Sequence, residues 1–353
     1  MSWLTRKTNP PVTVRMWNDW YPYKKAYVIQ GFWELAQKGE VKLELVDYAE
    51  LEKEGAPKPS NDVYDSHKNM VVFQLSLGGG RPVNVVYDCN DLYYKIPAAL
   101  LKWADLYFKS NHQPEYLRTG QLLQGAYWDS LRFRPECLPE PLDLVEARKC
   151  RPCSFSMHLT DSPERNHRYL RRLEGLWQRT RPEQKKYDVF YLGSYWGPRQ
   201  RLMDALVAEL KRENLSWLGG LVETDKPLPP PVACFGHSSV EQSQWGRMAA
   251  AARLPLMERG LDGCMSYKPA HYCLIGAPFA AMEFLSNFWL PMKRGINYFC
   301  VAEDMSGAGR LFRDVGNDQL VEMGMRNHAF WHEVLCPEAT ARYMLREAMK
   351  VDY

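Results

Sequence analysis

The chain has 353 residues, more than a single hydrophobic core usually organises, so we expect two domains. Hydrophobic residues make up 46% of the sequence and charged residues 25%, which excludes a disordered, collagen-like or coiled-coil protein. The 45 basic and 42 acidic residues leave a net charge of +3, too mild to indicate by itself a protein that binds nucleic acid or a membrane.

The first half of the chain predicts strands that alternate with helices. Apolar residues at helical spacing occur at 26–37 and 96–103. Runs typical of strands are found at 12–17, 41–46, 70–77, 82–87 and 105–109. This alternation indicates a mostly parallel, doubly wound sheet.

The second half repeats the pattern after a basic segment. Residues 165–186 predict an amphipathic basic helix with a solvated outer face and a packed inner stripe. A strand at 188–192 then leads into a helix on which leucines recur at helical spacing. Later elements are predicted as helices near 243–253 and 278–290, a strand near 297–301, and helices from about 318.

The predicted fold class is therefore α/β, with two Rossmann-like domains. We place the first domain at 1–180 and the second at 187–335. The remaining residues, 336–353, predict a C-terminal helix that can pack back on the first domain.

The cysteines and the hydropathy bear on the cellular compartment. Nine cysteines are scattered along the chain, and no secretory signal is visible at the N-terminus, so we expect free thiols and a cytoplasmic protein. Cys150 and Cys153 have zinc-type spacing, but no second pair follows at finger spacing, and plain thiols are favoured. The longest apolar stretch, 272–292, contains prolines and a glutamate and predicts a buried helix rather than a membrane span.

A strand, a turn and a helix at 188–211 predict a phosphate site. The amino end of a helix presents unpaired N–H groups and partial positive charge. Gly193 lets the backbone approach a ligand, and Ser194 offers a hydroxyl. Arg199 and Arg201 can hold two phosphate oxygens, which suits a diphosphate. An ordinary turn with surface arginines would give the same pattern.

Three further candidates for a nucleotide site follow along the chain. Lys268 and His271 lie in a loop before a Gly-Pro turn, and Glu283 lies in the predicted apolar helix. An ionised carboxylate there is costly unless it meets a cation or a pair of hydroxyls, such as a ribose diol. The alternative is a glutamate that reaches the surface or an arginine. His237 precedes a predicted helix and could contact a donor phosphate.

These residues resemble a known family. The segment 188–206, DVFYLGSYWGPRQRLMDAL, and the segment from Ala281 to Pro291 are similar to the nucleotide-binding domain of GT-B glycosyltransferases, particularly exostosin-like and bacterial surface-polysaccharide enzymes. The resemblance implies two domains facing a central cleft, with the acceptor on the first. It also implies that Ser194 and Arg199 or Arg201 contact the donor diphosphate, and that Glu283 binds the donor ribose.

The resemblance implies transfer of a sugar from a nucleotide-sugar donor to a hydroxyl of a glycan, without an obligatory metal or other cofactor. A single displacement needs a general base from the first domain. Candidates are Asp19, Asp88 and Asp91, in loops or at strand ends that face the cleft, although each could equally cap a helix and Asp91 would be a good N-cap. The histidines without metal-ligand spacing are interpreted as structural: His112, His158, His328 and His332.

Other functions remain open on the same scaffold. The basic segment 165–186 could track phosphates of a hydroxymethylated DNA acceptor, against which the mild net charge counts. A catalytically silent nucleotide-sugar-binding protein and an epimerase-like enzyme are further alternatives. An oxidoreductase is disfavoured because the glycine fingerprint of a dinucleotide site is missing.

Overall fold

The structure is a computed structural model that describes residues 12–17, 25–57, 70–76, 80–90, 92–122, 142–153, 157–195, 197–222, 242–260, 264–286 and 288–351. The predictions for Asp19, Asp91 and His237 fall outside these residues. The described chain forms an α/β fold with one mixed and one parallel sheet.

The first sheet is mixed and has the strand order β2-β1-β3-β4-β5-β6. Its strands are β1 (Val12–Trp17), β2 (Val41–Val46), β3 (Met70–Ser76), β4 (Val83–Asp88), β5 (Leu106–Lys109) and β6 (Cys150–Pro152). β3 runs antiparallel to both of its neighbours, whereas the other pairs are parallel. The sequence predicted a mostly parallel sheet. The link at 77–82 is too short for a parallel crossover, so β3 and β4 form a hairpin.

Both faces of this sheet are buried along its central strands β3 and β4. On β3, Val71 and Phe73 pack in one apolar cluster with α1 (Ala26–Gln37), while the alternating Met70 and Val72 pack in another. This alternation is the period of a strand that lies between two layers. The described residues of this half also form three short helices: α2 (Tyr48–Lys53), α3 (Ala98–Trp103) and α4 (Pro114–Thr119).

The second sheet is parallel throughout and has the order β11-β10-β9-β7-β8. Its strands are β7 (Tyr187–Ser194), β8 (Trp217–Val222), β9 (Ala252–Met257), β10 (Ala280–Ala281) and β11 (Phe299–Cys300). The helices of this half are α5 (Pro163–Leu173), α6 (Gly197–Arg212), α7 (Gln242–Ala250), α8 (Lys268–Leu274), α9 (Ala308–Asp314) and α10 (Asn317–Phe330).

Three sequence predictions in this half are wrong. Lys268 and His271, predicted in a loop, both lie in the helix α8. The predicted helix at 278–290 is instead the short strand β10 followed by a loop, because Ala280 and Ala281 pair with both β9 and β11. The predicted helix at 243–253 ends at Ala250, and the following residues form the central strand β9. A short apolar run fits a buried strand as well as a buried helix, so periodicity alone does not separate them.

The basic segment is shorter as a helix than predicted and packs on the second sheet. α5 ends at Leu173, and 3₁₀ turns at Trp177–Arg179 and Pro182–Gln184 follow it. The indole of Trp177 donates to the Ala252 carbonyl at 2.9 Å. Residues that pack on the second sheet therefore start ahead of its first strand in the sequence, within the region predicted as the first domain.

The C-terminal helix α11 (Pro337–Val351) returns to the first half of the chain. A Cβ atom on Gly31 of α1 would lie 2.1 Å from the Pro337 carbonyl oxygen, so the two helices touch through their backbones. Arg342 adds a bidentate ion pair with Glu40 at 2.5 and 2.6 Å. No helix within the described residues is long and apolar enough to cross a bilayer.

Candidate functional site

The strand order of the second sheet locates a crevice between β7 and β9. The chain leaves β7 towards β8 on one side and later returns on the other side to form β9. In open α/β sheets, ligands bind outside the carboxyl ends of the strands at such a switch point. Ser194 ends β7 here, and Glu258 directly follows β9.

A cluster of three charged side chains occupies this position. The Glu258 carboxylate lies 2.7 Å from Nε of Arg199 and 2.8 Å from Nζ of Lys268. Arg199 comes from the first turn of α6 and Lys268 from the first residue of α8. The side chains of Glu258 and Lys268 are almost fully buried, whereas that of Arg199 is 23% exposed. One carboxylate thus meets two cations at a partly open edge.

The electrostatics of the cluster favour an ionised glutamate. Burial alone would raise the pKa of Glu258, but Lys268 and Arg199 outweigh it and hold this pKa below its ordinary value. Burial is also the main influence on Lys268 and lowers its pKa, with Arg199 acting in the same direction and Glu258 against them. Since a single carboxylate is shared by both cations, positive charge remains for an anion to neutralise.

The turn after β7 is packed tightly around Arg199. A Cβ atom on Gly193 would lie 2.8 Å from the Tyr191 hydroxyl and 3.3 Å from Cδ of Arg199, so a larger residue would displace them. Arg199 also donates to the Ser194 carbonyl at 3.0 Å. The Tyr191 ring lies 5.0 Å from Nζ of Lys268. Gly193 therefore serves close packing of the charged cluster.

Glu283 lies on the same edge of the sheet, beyond β10. It is exposed, and it accepts hydrogen bonds from the Tyr298 hydroxyl at 3.3 Å and from the Cys300 thiol at 3.4 Å. Burial and Glu283 raise the pKa of Tyr298 to about 12, so this hydroxyl keeps its proton. The ribose prediction placed Glu283 on a helix, which is wrong, but the exposed carboxylate remains at a strand end.

The carboxyl edges of the two sheets approach each other. Asn111 and Gln113 follow β5, and both contact the hydroxyl of Ser286, which follows β10; the Gln113 amide donates to it at 3.2 Å. Trp289 in the same loop stacks on Tyr343 of α11, with ring centroids 4.9 Å apart. The loop after β10 is therefore held between the two halves.

Asp88 lies at the end of β4, where a catalytic base was predicted, but it has no exposed surface. Its carboxylate accepts from the Tyr107 hydroxyl, the Lys109 ammonium and the Asn90 backbone N–H, each at 2.7 Å. These three hydrogen bonds stabilise the buried carboxylate and give it a structural role. Its role as a base stays a prediction, and in this conformation a substrate hydroxyl would have to displace one of them.

The structure brings together four of the predicted binding residues and separates others. Gly193, Ser194, Arg199 and Lys268 meet at the switch point. His271 is fully buried against Tyr169 and Tyr267, and burial lowers its pKa to about 4, which leaves a neutral ring with no surface for a ligand. Arg201 is exposed on α6.

Sequence reasoning missed the two charged residues that follow β9. Glu258 joins the cluster, and the guanidinium of its neighbour Arg259 is nearly buried and contacts Glu303. The signal in the sequence is their position: an acidic and a basic residue directly follow the apolar run 252–257. Recognising β9 as a strand would have put both at the crevice.

Neither a scan against models of known protein families nor a search of curated proteins finds a match for this sequence.

Proposed function

We propose that this protein is a glycosyltransferase of the GT-B type, which moves a sugar from a nucleotide-sugar donor to a hydroxyl of a glycan. The observation that carries the proposal is the cluster of Arg199, Lys268 and Glu258 at the switch point of a parallel sheet. Cations at that position suit the diphosphate of a nucleotide donor.

The approach of the two carboxyl edges supports a reaction between two bound substrates. A donor at the second sheet would present its sugar towards the loops that follow β4 and β5. Cationic side chains and the amino end of α6 would stabilise the charge that develops on the departing diphosphate, a task that requires no metal in itself. The acceptor hydroxyl would attack the anomeric carbon as its proton passes to a base from the first half.

Glu283 is proposed to bind the donor ribose. Its carboxylate is exposed, and the neighbouring Tyr298 and Cys300 donate to it without removing it from solvent. A vicinal diol can replace water as a pair of donors to such a carboxylate. The test compares a nucleoside diphosphate with its 2′,3′-dideoxy analogue by calorimetry.

Wild-type protein should bind the ribose form more tightly by about 1.5 kcal/mol, the lower range for a hydrogen bond to a charged group. In Glu283→Gln this preference should shrink to less than half, while the affinity for the dideoxy analogue stays the same. An undiminished preference in the variant would remove Glu283 from the ribose site. Glu322→Gln is a suitable control, since Glu322 is an exposed residue of α10 paired only with Arg326 among the described residues.

The experiment for the whole proposal is a binding and product screen. UDP, GDP, CMP, ADP and TDP are tested by thermal shift, because a ligand at a hundred times its dissociation constant stabilises the fold by about 2.7 kcal/mol. The sugar conjugate of the best ligand is then incubated with candidate glycans. Release of the nucleotide together with a glycosylated product supports the transferase, an altered sugar still on its nucleotide indicates an epimerase, and binding without turnover indicates a silent protein.

One observation favours DNA as a second acceptor class. Four arginines on the surface of α5 are exposed: Arg165, Arg168, Arg171 and Arg172. A helix surface of this kind can contact several phosphates, and binding through it would weaken steeply with salt. Duplex binding that is insensitive to salt, or unchanged when these arginines are replaced by glutamine, would exclude this acceptor route.

A further inference from the structure

Three potential metal ligands converge at a second place in the molecule, away from the switch point. Glu174 directly follows α5, His328 belongs to α10, and His332 lies one turn later in a π-helical turn, Trp331–Leu335. Within the described residues this is the one group of three His, Cys, Asp or Glu side chains whose ligand atoms all lie within 4.8 Å of one another.

The spacing of these atoms is that of a metal site. Nε2 of His332 lies 3.0 Å from Oε1 of Glu174, Nε2 of His328 lies 3.8 Å from the same oxygen, and the two Nε2 atoms are 3.4 Å apart. Tetrahedral zinc with ligands at about 2.0–2.1 Å requires ligand atoms roughly 3.3–3.4 Å from one another. The observed distances bracket this separation, and small rotations of the side chains would equalise them.

A simple ion pair accounts for only part of this arrangement. A proton on Nε2 of His332 can be donated to Glu174 or to Nε2 of His328, but not to both. Two imidazole nitrogens and a carboxylate oxygen, all within 4.8 Å of one another, can present three lone pairs when the nitrogens are deprotonated, and a divalent cation accepts all three. The mixture of imidazole and carboxylate is a donor set that zinc and related first-row metals prefer.

The backbone around the three ligands is fixed by other contacts. The N–H of Gly175 donates to the Leu274 carbonyl at 3.0 Å, and the N–H of Trp177 donates to the Ile275 carbonyl at 2.8 Å. On the other side, a Cβ atom on Gly324 of α10 would lie 2.6 Å from the Gly276 carbonyl oxygen. Both ligand-bearing segments are therefore seated on the carboxyl end of α8 and the turn that follows it.

We propose that Glu174, His328 and His332 form a binding site for a divalent first-row transition metal, zinc in particular. The side chains are 34%, 27% and 51% exposed, so water can complete the coordination and the metal can enter from solvent. A bound ion would tie the end of α5 to the end of α10, just before the chain crosses to the first half as α11. Lys268 is the first residue of α8, and the metal site lies near the carboxyl end of this helix, roughly 10 Å away at 1.5 Å per residue. The metal would therefore stabilise the region around α8 without contacting the candidate nucleotide site.

The test uses the untagged full chain, stripped of metal with a chelator and desalted. Calorimetric titration with Zn²⁺ should show one equivalent bound per chain, and the thermal midpoint should rise with zinc. His328→Gln, His332→Gln and Glu174→Gln should each weaken zinc binding about tenfold or more, since even the partners of metal ligands are worth that factor. The metal-free variants should melt at the same temperature as the metal-free wild type, because all three side chains are partly exposed.

The matched control is His167→Gln. His167 lies 3.6 Å from Glu34 and is 46% exposed, so it forms a histidine–carboxylate pair, but within the described residues it belongs to no group of three ligands. This variant should bind zinc as the wild type does. If Glu174→Gln, His328→Gln and His332→Gln all retain wild-type affinity, or if the wild type binds no zinc at all, the site is refuted.

Cobalt distinguishes this ligand set from a cysteine site. Co²⁺ bound to nitrogen and oxygen ligands should give visible d–d bands without a near-ultraviolet sulfur charge-transfer band. Cys336 is the thiol to exclude, because its Sγ lies 3.5 Å from the His332 carbonyl oxygen. A charge-transfer band that disappears in Cys336→Ser would overturn the assignment of these three residues as the ligand set. None of these readouts depends on the proposed transferase activity.

Discussion

The carboxyl edges of the two sheets differ in the ratio of buried acidic to basic side chains. In the first sheet Asp88 meets Lys109, one acid and one base, with 0% and 1% of their side chains exposed. In the second sheet Glu258 meets both Arg199 and Lys268, and Arg199 is partly open to solvent. A closed pair neutralises itself, whereas one carboxylate between two cations leaves positive charge at an accessible edge. The buried pair of the first sheet contributes to cohesion, and the partly open cluster of the second sheet is the one we propose for anion binding.

The largest expected effect comes from removing the acid of each cluster. Asp88→Asn should lower the free energy of unfolding by about 3–5 kcal/mol, because it leaves the Lys109 ammonium buried without its partner. Glu258→Gln should cost a similar amount, since it leaves two cations facing each other. Urea denaturation followed by circular dichroism measures both.

Pyrophosphate separates the two variants. At one fixed pyrophosphate concentration, a hundred times the dissociation constant of Glu258→Gln, this variant should be stabilised by about 2.7 kcal/mol and by more than the wild type, because the anion takes the place of the lost carboxylate charge. Asp88→Asn should gain no more from pyrophosphate than the wild type does, since its cation is closed to solvent. Equal responses of the two variants would contradict the contrast between the edges.

Each half also contains a histidine that the fold keeps neutral. Burial lowers the pKa of His271 to about 4, and burial together with Arg151 and Lys109 lowers that of His112 to about 4. An unfolded histidine titrates near 6.5, so between pH 6.5 and 4 the unfolded chain binds more protons than the folded chain. Stability is therefore fully present above pH 6.5 and falls as the pH decreases through this window.

For His271 alone this loss should reach about 2 kcal/mol between pH 7 and pH 5. His271→Gln should flatten the pH dependence of the free energy of unfolding by that amount, measured by urea denaturation over the same range. His167→Gln changes an exposed histidine and should leave the slope unaltered. A slope that persists unchanged in His271→Gln would show that folding does not lower the pKa of His271.

Local sequence patterns predicted the helices and strands that do not depend on pairing with segments distant in sequence. Helical spacing predicted α1, an alternating run predicted β2, and β-rich or β-branched runs predicted β1 and β4, all close to their observed bounds. The direction of β3 and the identity of β9 and β10 were missed. A two-residue strand such as Ala280–Ala281 exists only because neighbours on both sides pair with it.

The residues of the candidate site fall into the same two groups: those whose association local sequence predicts, and those that only the fold brings together. Gly193, Ser194 and Arg199 lie within one strand, turn and helix, so their association is visible in the sequence. Glu258 could not be chosen in that way, since the two helices that supply its partners are brought to it only by the order of the strands. His328 and His332 were interpreted as structural because they show no metal-ligand spacing with Asp or Glu, and Glu174 reaches them from the end of a helix distant in sequence.

The smallest expected effect tests whether the open edge binds a diphosphate through the exposed part of α6. Arg201→Ala should weaken nucleoside diphosphate binding by about 1.5 kcal/mol, roughly tenfold, with unchanged unfolding free energy because the side chain is exposed. Arg212→Ala removes an arginine at the other end of the same helix, where it pairs with Glu209 at 2.6 Å, and should leave the affinity unaltered. If both variants lose affinity equally, the effect is one of general charge. If neither variant loses affinity, Arg201 does not contribute, and the phosphate is bound by Arg199 and Lys268 alone.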